Sequence, residues 1–372
     1  MKILFTGGGS GGHIVPIIAI VREIRRIAPK ELLLTFYYIG PKDPFGDMLI
    51  SQEGIEIKNI LAGKIRRYFT WRSLLENVAD LFKIPIGILQ SFFYVFVFAP
   101  DLILSKGGYG SFPAVFAGWI LQVPIFLHES DVSPGLASKV QSPFAFKIFT
   151  SFPKTEYFSL KKVIYAGNPI RREILEGSKE EARKIFNLTL EKPVILITGG
   201  SQGAQKINDT ILDILPGLLD NFELIHVCGE NNLKQIGAEA KAVITKEAEK
   251  YYHLYPFLKE IEIKHAYLAA DLIISRAGSG SIFEIAAVGK PSILVPLSGS
   301  AQNHQIKNAY AYGQEGTTIV MEEENLTPHF FLEKLKYLFS HHEELEKMSI
   351  AAKSFAKPEA ARLIAQYLLT NY

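Results

Sequence analysis

Five glycines in six residues, followed at once by a histidine, stand near the start of the chain in "KILFTGGGSGGHIVP". Gly7, Gly9 and Gly12 fit G-x-G-x-x-G, a strand-to-helix turn whose open backbone N–H groups can hold a phosphate. A dinucleotide reading also needs an acidic residue at the end of the second strand to grip a ribose diol. That strand, "LLLTFYYIGPKD", ends on Ile39-Gly40-Pro41, and Asp43 comes too late. His13 falls on the first helical turn, where an imidazole is of little use to hydride transfer but suits proton transfer near neutral pH. The loop therefore fits a phosphate or a reacting sugar better than a nicotinamide, and no cofactor is expected.

The second half carries a nucleotide grip. In "SRAGSGSIFEIAAVGKP", Gly278 and Gly280 let backbone amides approach a ligand, Ser279 and Ser281 add hydroxyls, and Glu284 is expected in the first turn of the following helix. Beside free backbone donors a carboxylate can accept both hydroxyls of a ribose; at a helix start it can equally serve only the helix dipole. In "GGSQGAQKIND", Ser201 and Gln202 stand where a pyrophosphate could meet them, or where a tight turn holds nothing. There is no D-x-D, no H-x-x-x-H and no carboxylate cluster at ligand spacing, so no metal is expected. A departing diphosphate would then be neutralised by helix N-termini and by nearby groups such as Arg171 in "GNPIR".

The elements that must position these groups repeat as strand, glycine turn, helix, which predicts an α/β chain with parallel sheets covered by helices. "ILFTGGGSGG" from Ile3 echoes "ILITGGSQGA" from Ile195, and "DLILSKGGYGS" from Asp101 aligns without a gap to "DLIISRAGSGS" from Asp271. The pairs come in the same order, so two Rossmann-like domains are expected, at 1–165 and 166–355, with 356–372 as a terminal helix that can pack back on the first. Ligands of open parallel sheets bind beyond the carboxyl ends of the strands. Two such sheets facing a central cleft would suit a reaction between two substrates, one for each domain.

Composition narrows the partners. With 40 Lys and Arg against 38 Asp and Glu, the net charge of +2 offers no field for nucleic acid. The single cysteine, Cys228, excludes an internal disulfide and reads as a small buried apolar residue. The first apolar run, "ILF", leads straight into glycines, so no signal peptide is expected and the chain is placed in the cytoplasm. "IPIGILQSFFYVFVFAP" (84–100) falls short of the ~20 residues that span a bilayer and reads mainly as a helix covering the first sheet.

The ordered set "GGGSGGHIVP", "SKGGYGSFP" with "LHESDVSPG", "GNPIR", "TGGSQGAQKIN" and "SRAGSGSIFEIAAVGKPSILVPL…QNHQIKNA" resembles the MurG family across nearly the whole chain. The resemblance implies the GT-B fold and an inverting, metal-independent glycosyltransferase. Such an enzyme moves N-acetylglucosamine from UDP-GlcNAc to the C4 hydroxyl of undecaprenyl-diphospho-N-acetylmuramoyl-pentapeptide (lipid I), giving lipid II for peptidoglycan at the cytoplasmic face of the bacterial membrane. Carried over motif by motif, Ser10, Gly11, Gly12 and His13 would face the sugar and the acceptor diphosphate, Ser201 the donor diphosphate, and Arg171 the nucleotide side. Ser279, Gly280, Ser281, Ile282, Phe283 and Glu284 would hold the nucleotide, with Glu284 on the ribose. Gln305 would reach the sugar hydroxyls, and backbone near Phe257 and Leu258 the uracil.

One departure stands out. The family shows H-E-Q-N where this chain has His128-Glu129-Ser130-Asp131, so a carboxylate replaces the amide that contacts the sugar. An ionised Asp131 accepts hydrogen bonds but cannot donate them. The base that takes the acceptor's proton is then His13, with Asp131 and Glu129 as rivals; alternatively His13 only donates to a phosphate. A lipid acceptor also requires an anionic membrane surface. Arg66, Arg67, Phe69, Trp71, Leu75 and Phe82 supply basic and aromatic groups suited to it. Competing readings are a related enzyme with another UDP-sugar and lipid acceptor, and a silent nucleotide-sugar binder.

Overall fold

The computed structural model describes the chain apart from residues 9, 10, 65–70, 155, 156, 201, 202 and 372, and apart from the side chains of 71–76, 78, 79 and 301. Contacts divide it into two compact units, Met1–Arg171 with Glu359–Tyr372, and Arg172–Pro358.

The first unit is built on seven parallel strands: β1 (Lys2–Thr6), β2 (Thr35–Gly40), β3 (Glu56–Asn59), β4 (Leu102–Ser105), β5 (Ile125–Glu129), β6 (Lys147–Thr150) and β7 (Val163–Tyr165). Their order across the sheet is β3-β2-β1-β4-β5-β6-β7. Between them run α1 (Gly11–Ile27), α2 (Pro44–Gln52), α3 (Trp71–Phe98), α4 (Phe112–Ile120) and α5 (Leu136–Gln141). Side chains alternate across the pleat. Ile3 and Phe5 thus join the core under α1, while Leu4 joins the opposite core beneath Val95 and Phe98 of α3 and Val115 of α4.

The second unit repeats the plan with β8 (Val194–Thr198), β9 (Glu223–Val227), β10 (Tyr252–Tyr255), β11 (Leu272–Ser275), β12 (Ser292–Leu294) and β13 (Thr318–Val320). These are all parallel, in the order β10-β9-β8-β11-β12-β13. Its helices are α6 (Lys179–Phe186), α7 (Gln205–Asp213), α8 (Leu215–Leu219), α9 (Leu233–Val243), α10 (Glu260–Ala269), α11 (Ser279–Val288), α12 (His304–Gly313), α13 (Pro328–Ser340) and α14 (His342–Phe355). Cys228, just past β9, is buried in this core. The closing helix, α15 (Ala360–Thr370), lays Ala361, Ile364, Ala365 and Leu368 into the α1 side of the first unit.

The sequence echo marks the same two strands in each sheet. β1 pairs with β4 so that Thr6 lies opposite Ser105, and β8 pairs with β11 so that Thr198 lies opposite Ser275. These are the neighbours at which strand order reverses, and the loops beyond their carboxyl ends diverge to leave a crevice. The shared aspartate has a structural task. Asp101 Oδ2 accepts from the Lys2 N–H at 2.7 Å and Asp271 Oδ2 from the Val194 N–H at 2.8 Å, fixing where each central strand begins.

The greasy stretch 84–100 departs from expectation. It belongs to the 28-residue α3, whose segment Asp80–Phe98 is long and apolar enough to cross a membrane, yet only 22% of that segment is buried. Gly87, Ser91, Val95 and Phe98 form one buried stripe, whereas Leu81, Phe82, Ile86, Leu89, Phe93, Phe96 and Val97 are exposed. The helix covers α4 with a narrow face and turns a wide apolar face outward. Gly87 lies on the covered face because the chain passes against it: a Cβ there would fall 1.9 Å from the Leu61 carbonyl oxygen.

Candidate functional site

In the first unit the half-buried His13 imidazole lies against the loops that follow β1 and β4. His13 stands in the first turn of α1, and two glycine turns close on its ring. A Cβ on Gly8 would meet His13 Cε1 at 3.4 Å and Gly108 Cα at 3.0 Å; a Cβ on Gly108, whose φ is +82°, would meet Nε2 at 3.2 Å and Gly8 Cα at 2.7 Å. Only glycine allows both turns to approach the ring this closely. Burial, and then the charge of Lys106, lower the His13 pKa to about 4, so the imidazole is neutral at pH 7.

Lys106, directly after β4, is 4% exposed. Its ammonium donates to Ser130 Oγ, which in turn donates to Asn168 Oδ1 at 2.9 Å. Ser151 Oγ donates to the same amide oxygen at 3.3 Å, so the "GNP" segment is tied to the ends of β5 and β6. Burial pulls Lys106 down to about 8, opposed by the negative charges of Glu129 and Asp131. Glu129 closes β5 and is buried; burial and the neighbouring Asp131 push it up to about 7. Its Oε1 accepts from the Asp131 N–H at 3.0 Å, which shapes the turn that carries Asp131. His128 Nε2 donates to the Gly167 carbonyl at 3.2 Å, and Nδ1 is buried without a hydrogen-bond partner. Burial and Lys106 hold His128 well below its ordinary pKa.

In the second unit the equivalent loops follow β8 and β11. α11 begins at Ser279, so the N–H groups of Ser279, Gly280 and Ser281 have no acceptor within the helix. The Ser279 hydroxyl is buried there with no hydrogen-bond partner in the protein, a group that a polar ligand can satisfy. Glu284 lies one turn further in than expected, and its Oε2 accepts from the Tyr267 hydroxyl at 3.0 Å. Gln305, early in α12, accepts the Leu297 N–H on Oε1 at 3.0 Å, which orients its amide. The loop before it carries two successive non-glycine residues at positive φ, Gln302 at 57° and Asn303 at 54°, a conformation that costs energy and clusters at ligand sites.

Two expected nucleotide contacts are corrected. The side chains of Ile282 and Phe283 are buried in the core, Phe283 packing on Phe355 with ring centroids 5.4 Å apart, and the Ile282 N–H is spent on Gly278 O at 3.0 Å. Their side chains serve the core. Leu258 also buries its side chain, in the β10–α10 loop, while Phe257 beside it is exposed. Arg171 ends the first unit, half-buried, just before the turn Arg172–Glu176. Gly11 and Gly12 open α1, half-buried and exposed respectively. Ser10, Ser201, Arg66, Arg67 and Phe69, and the side chains of Trp71 and Leu75, lie outside the described residues; Phe82 is 68% exposed on α3.

Sequence reasoning passed over Lys106, Asn168, Tyr267 and the ion pair of buried Arg276 with half-buried Glu323, whose Nη2 and Oε1 are 2.6 Å apart. A signal for two of them was present: the echoed "SKGG" and "SRAG" put a cation immediately after the strand in both copies.

Comparison with known proteins agrees with the two-domain fold. The glycosyltransferase family 28 N-terminal domain matches residues 3–150, and the family 28 C-terminal domain matches 194–364. The chain is 38% identical over 348 residues to the UDP-N-acetylglucosamine–N-acetylmuramyl-(pentapeptide) pyrophosphoryl-undecaprenol N-acetylglucosamine transferase of Clostridium tetani, covering 93% of this chain and 92% of that protein. It is 38% identical over 370 residues to the Clostridium kluyveri enzyme of the same name, covering 98% and 99%. Among solved structures, Acinetobacter baumannii MurG superposes with a TM-score of 0.74 at 22% identity over 99% of both chains. A UDP-GlcNAc 2-epimerase from Neisseria meningitidis, solved bound to UDP-GlcNAc, gives 0.70 at 18% over 100% of both, a likeness of fold alone. With both domains matched in order and full-length relatives at this identity, the chain belongs to the MurG branch of glycosyltransferase family 28.

Proposed function

We propose that the protein is an N-acetylglucosaminyltransferase that uses UDP-GlcNAc to glycosylate lipid I at its C4 hydroxyl, with inversion, giving lipid II. The observation that carries this reading is the near-full-length identity with enzymes of that name, joined to ligand-ready loops at the crevice of each sheet.

The second unit takes the donor. The amides at the start of α11 and the unsatisfied Ser279 hydroxyl suit a diphosphate, Glu284 the ribose, and the oriented Gln305 amide the sugar hydroxyls. The first unit takes the acceptor, with the glycine turns around His13 suited to its diphosphate. His13 removes the proton from the C4 hydroxyl as that oxygen attacks C1 of the sugar. The C1–O bond to UDP breaks, and its electron pair leaves with the β-phosphate, where the α11 amides meet the developing charge. A neutral imidazole of low pKa is a weak base, but a bound diphosphate beside it raises its proton affinity when transfer occurs. Glu129 acts through backbone, holding the Asp131 turn.

The outward apolar face of α3 lies on an anionic membrane at its cytoplasmic side, as a peripheral contact. Its opposite stripe is covered by α4, so the helix stays attached to its own unit and offers lipid one face only.

UDP release by the purified protein with a short-chain lipid I analogue tests the reading, with UDP-GlcNAc, UDP-GalNAc and UDP-glucose offered separately and without added metal. Preference for UDP-GlcNAc is expected. Turnover with another sugar alone would assign a different donor, and Asp131 would be the residue responsible; release with none would leave a nucleotide-sugar binder.

A further inference from the structure

The two sheets carry a cation at the same point of the repeat. Lys106 follows the last residue of β4 and Arg276 the last residue of β11. Each reaches sideways, to the loop after the neighbouring strand. Arg276 Nη1 donates to the Val295 carbonyl at 3.2 Å just past β12, and Nη2 to Glu323 Oε1 at 2.6 Å. Glu323 Oε2 then accepts the Ser298 N–H at 3.0 Å. The loop pinned this way bears Leu297, the partner of Gln305. Lys106 makes the corresponding reach to Ser130, just past β5, in the turn that bears Asp131.

The partners differ in one respect. Arg276 has a carboxylate in direct ion pair, whereas Lys106 donates to a hydroxyl and meets its countercharge from Glu129 and Asp131. A buried ammonium is costly unless negative charge lies close. Asp131 also stands where the family pattern puts an asparagine. A carboxylate and an ammonium at one site offset each other, as an amide beside an apolar side chain would without any charge.

We propose that Lys106 is a positioning and specificity-determining residue, coupled to Asp131: it pins the 130–131 turn through Ser130 and so fixes how the Asp131 carboxylate meets the donor sugar. The pair thereby does with charge what the family's neutral amide does by donating and accepting. This rests on the sugar-facing role proposed for Asp131.

The test is a double-mutant cycle on the full-length protein, with Lys106→Met, Asp131→Asn and both together, assayed with UDP-GlcNAc and the short-chain acceptor. Each single change is expected to lower kcat by about tenfold or more, and the double variant to lose about tenfold less than the product of the two losses, because the second substitution removes the charge the first left unpaired. The kcat/KM ratio between UDP-GlcNAc and UDP-glucose should move in the single variants and return toward wild type in the double. Losses that simply multiply, with an unchanged donor ratio, would overturn the coupling and leave Lys106 a local tie. Lys106→Gln, which keeps a donor to Ser130 without the charge, provides the same reading if Lys106→Met fails to fold: it must lose activity and must be partly rescued by Asp131→Asn. If the wild type turns over no donor, the functional reading fails instead. The cycle is then read from the unfolding midpoints of the four proteins, where additive shifts would overturn the Lys106–Asp131 coupling.

Discussion

The phenol of Tyr267, on α10, donates to Oε2 of Glu284, on α11, at 3.0 Å. Tyr267 is 2% exposed, so the carboxylate is held by a side chain that is itself locked in the core. Removing the carboxylate with Glu284→Ala should cost about 1.5–3 kcal/mol of nucleotide binding, which is roughly 10–100-fold in KM for UDP-GlcNAc. Tyr267→Phe leaves the carboxylate in place without its tether and should cost only about 2–5-fold, of the order of one neutral hydrogen bond. Calorimetric titration with UDP separates the two; equal losses would assign Tyr267 a direct role on the ligand.

The pH profile of kcat/KM distinguishes the bases, because it reports groups in the free enzyme. His13 is held near 4 and Glu129 near 7. With His13 as base, activity should persist down to about pH 5 and fall only as the imidazole protonates below that. An acid limb centred near 7 would assign the proton to Glu129. In agreement with the first outcome, His13→Ala should lower kcat by about 100-fold or more while UDP binding to the second unit is unchanged.

Phe93 and Phe96 are 61% and 68% exposed on α3. Phe93→Glu with Phe96→Glu should leave the unfolding midpoint nearly unchanged, since exposed positions away from caps and cores shift stability by about 0.5 kcal/mol or less. The partition constant onto vesicles containing anionic lipid, read by sedimentation, should nevertheless fall by about 30-fold or more, because each of the two rings loses about 1–2 kcal/mol of apolar burial at the interface. Unaltered sedimentation would remove α3 from the membrane contact.

The paired aspartates make a stability prediction. Asp271→Ala leaves the Val194 N–H without its acceptor at a half-buried strand start and should cost about 1–3 kcal/mol. Asp101→Ala does the same to Lys2 at an exposed one, where water replaces the lost oxygen, and should cost less. Urea unfolding of the two variants compares them, and an equal or reversed order would show that water reaches Val194 as readily as Lys2.

Much of the architecture could be read from the chain. Period and punctuation announce a parallel strand and its glycine turn locally, so the echoes at Ile3 and Ile195 and at Asp101 and Asp271 located the four central strands before any contact was known. The same locality put His13 in the first turn of α1, but the second turn against its ring, at Gly108, comes from the far end of β4 and is not local in sequence. α3 was misread because apolar content says which residues avoid water but not how much neighbouring surface exists to cover them; α4 covers one stripe and the remainder faces outward. Ile282 and Phe283 were misassigned for a related reason: a motif names a segment, while the 100° step of a helix sends half of it into the core.

What only the tertiary structure decided is the electrostatics of the first site. Lys106, Ser130 and Asn168 are separated by 24 and 38 residues and meet because β4 and β5 are adjacent in the sheet. Their meeting buries Lys106, His128 and Glu129 together beside the half-buried His13, and it is that shared burial, invisible in any one stretch of sequence, that shifts the charge state of each.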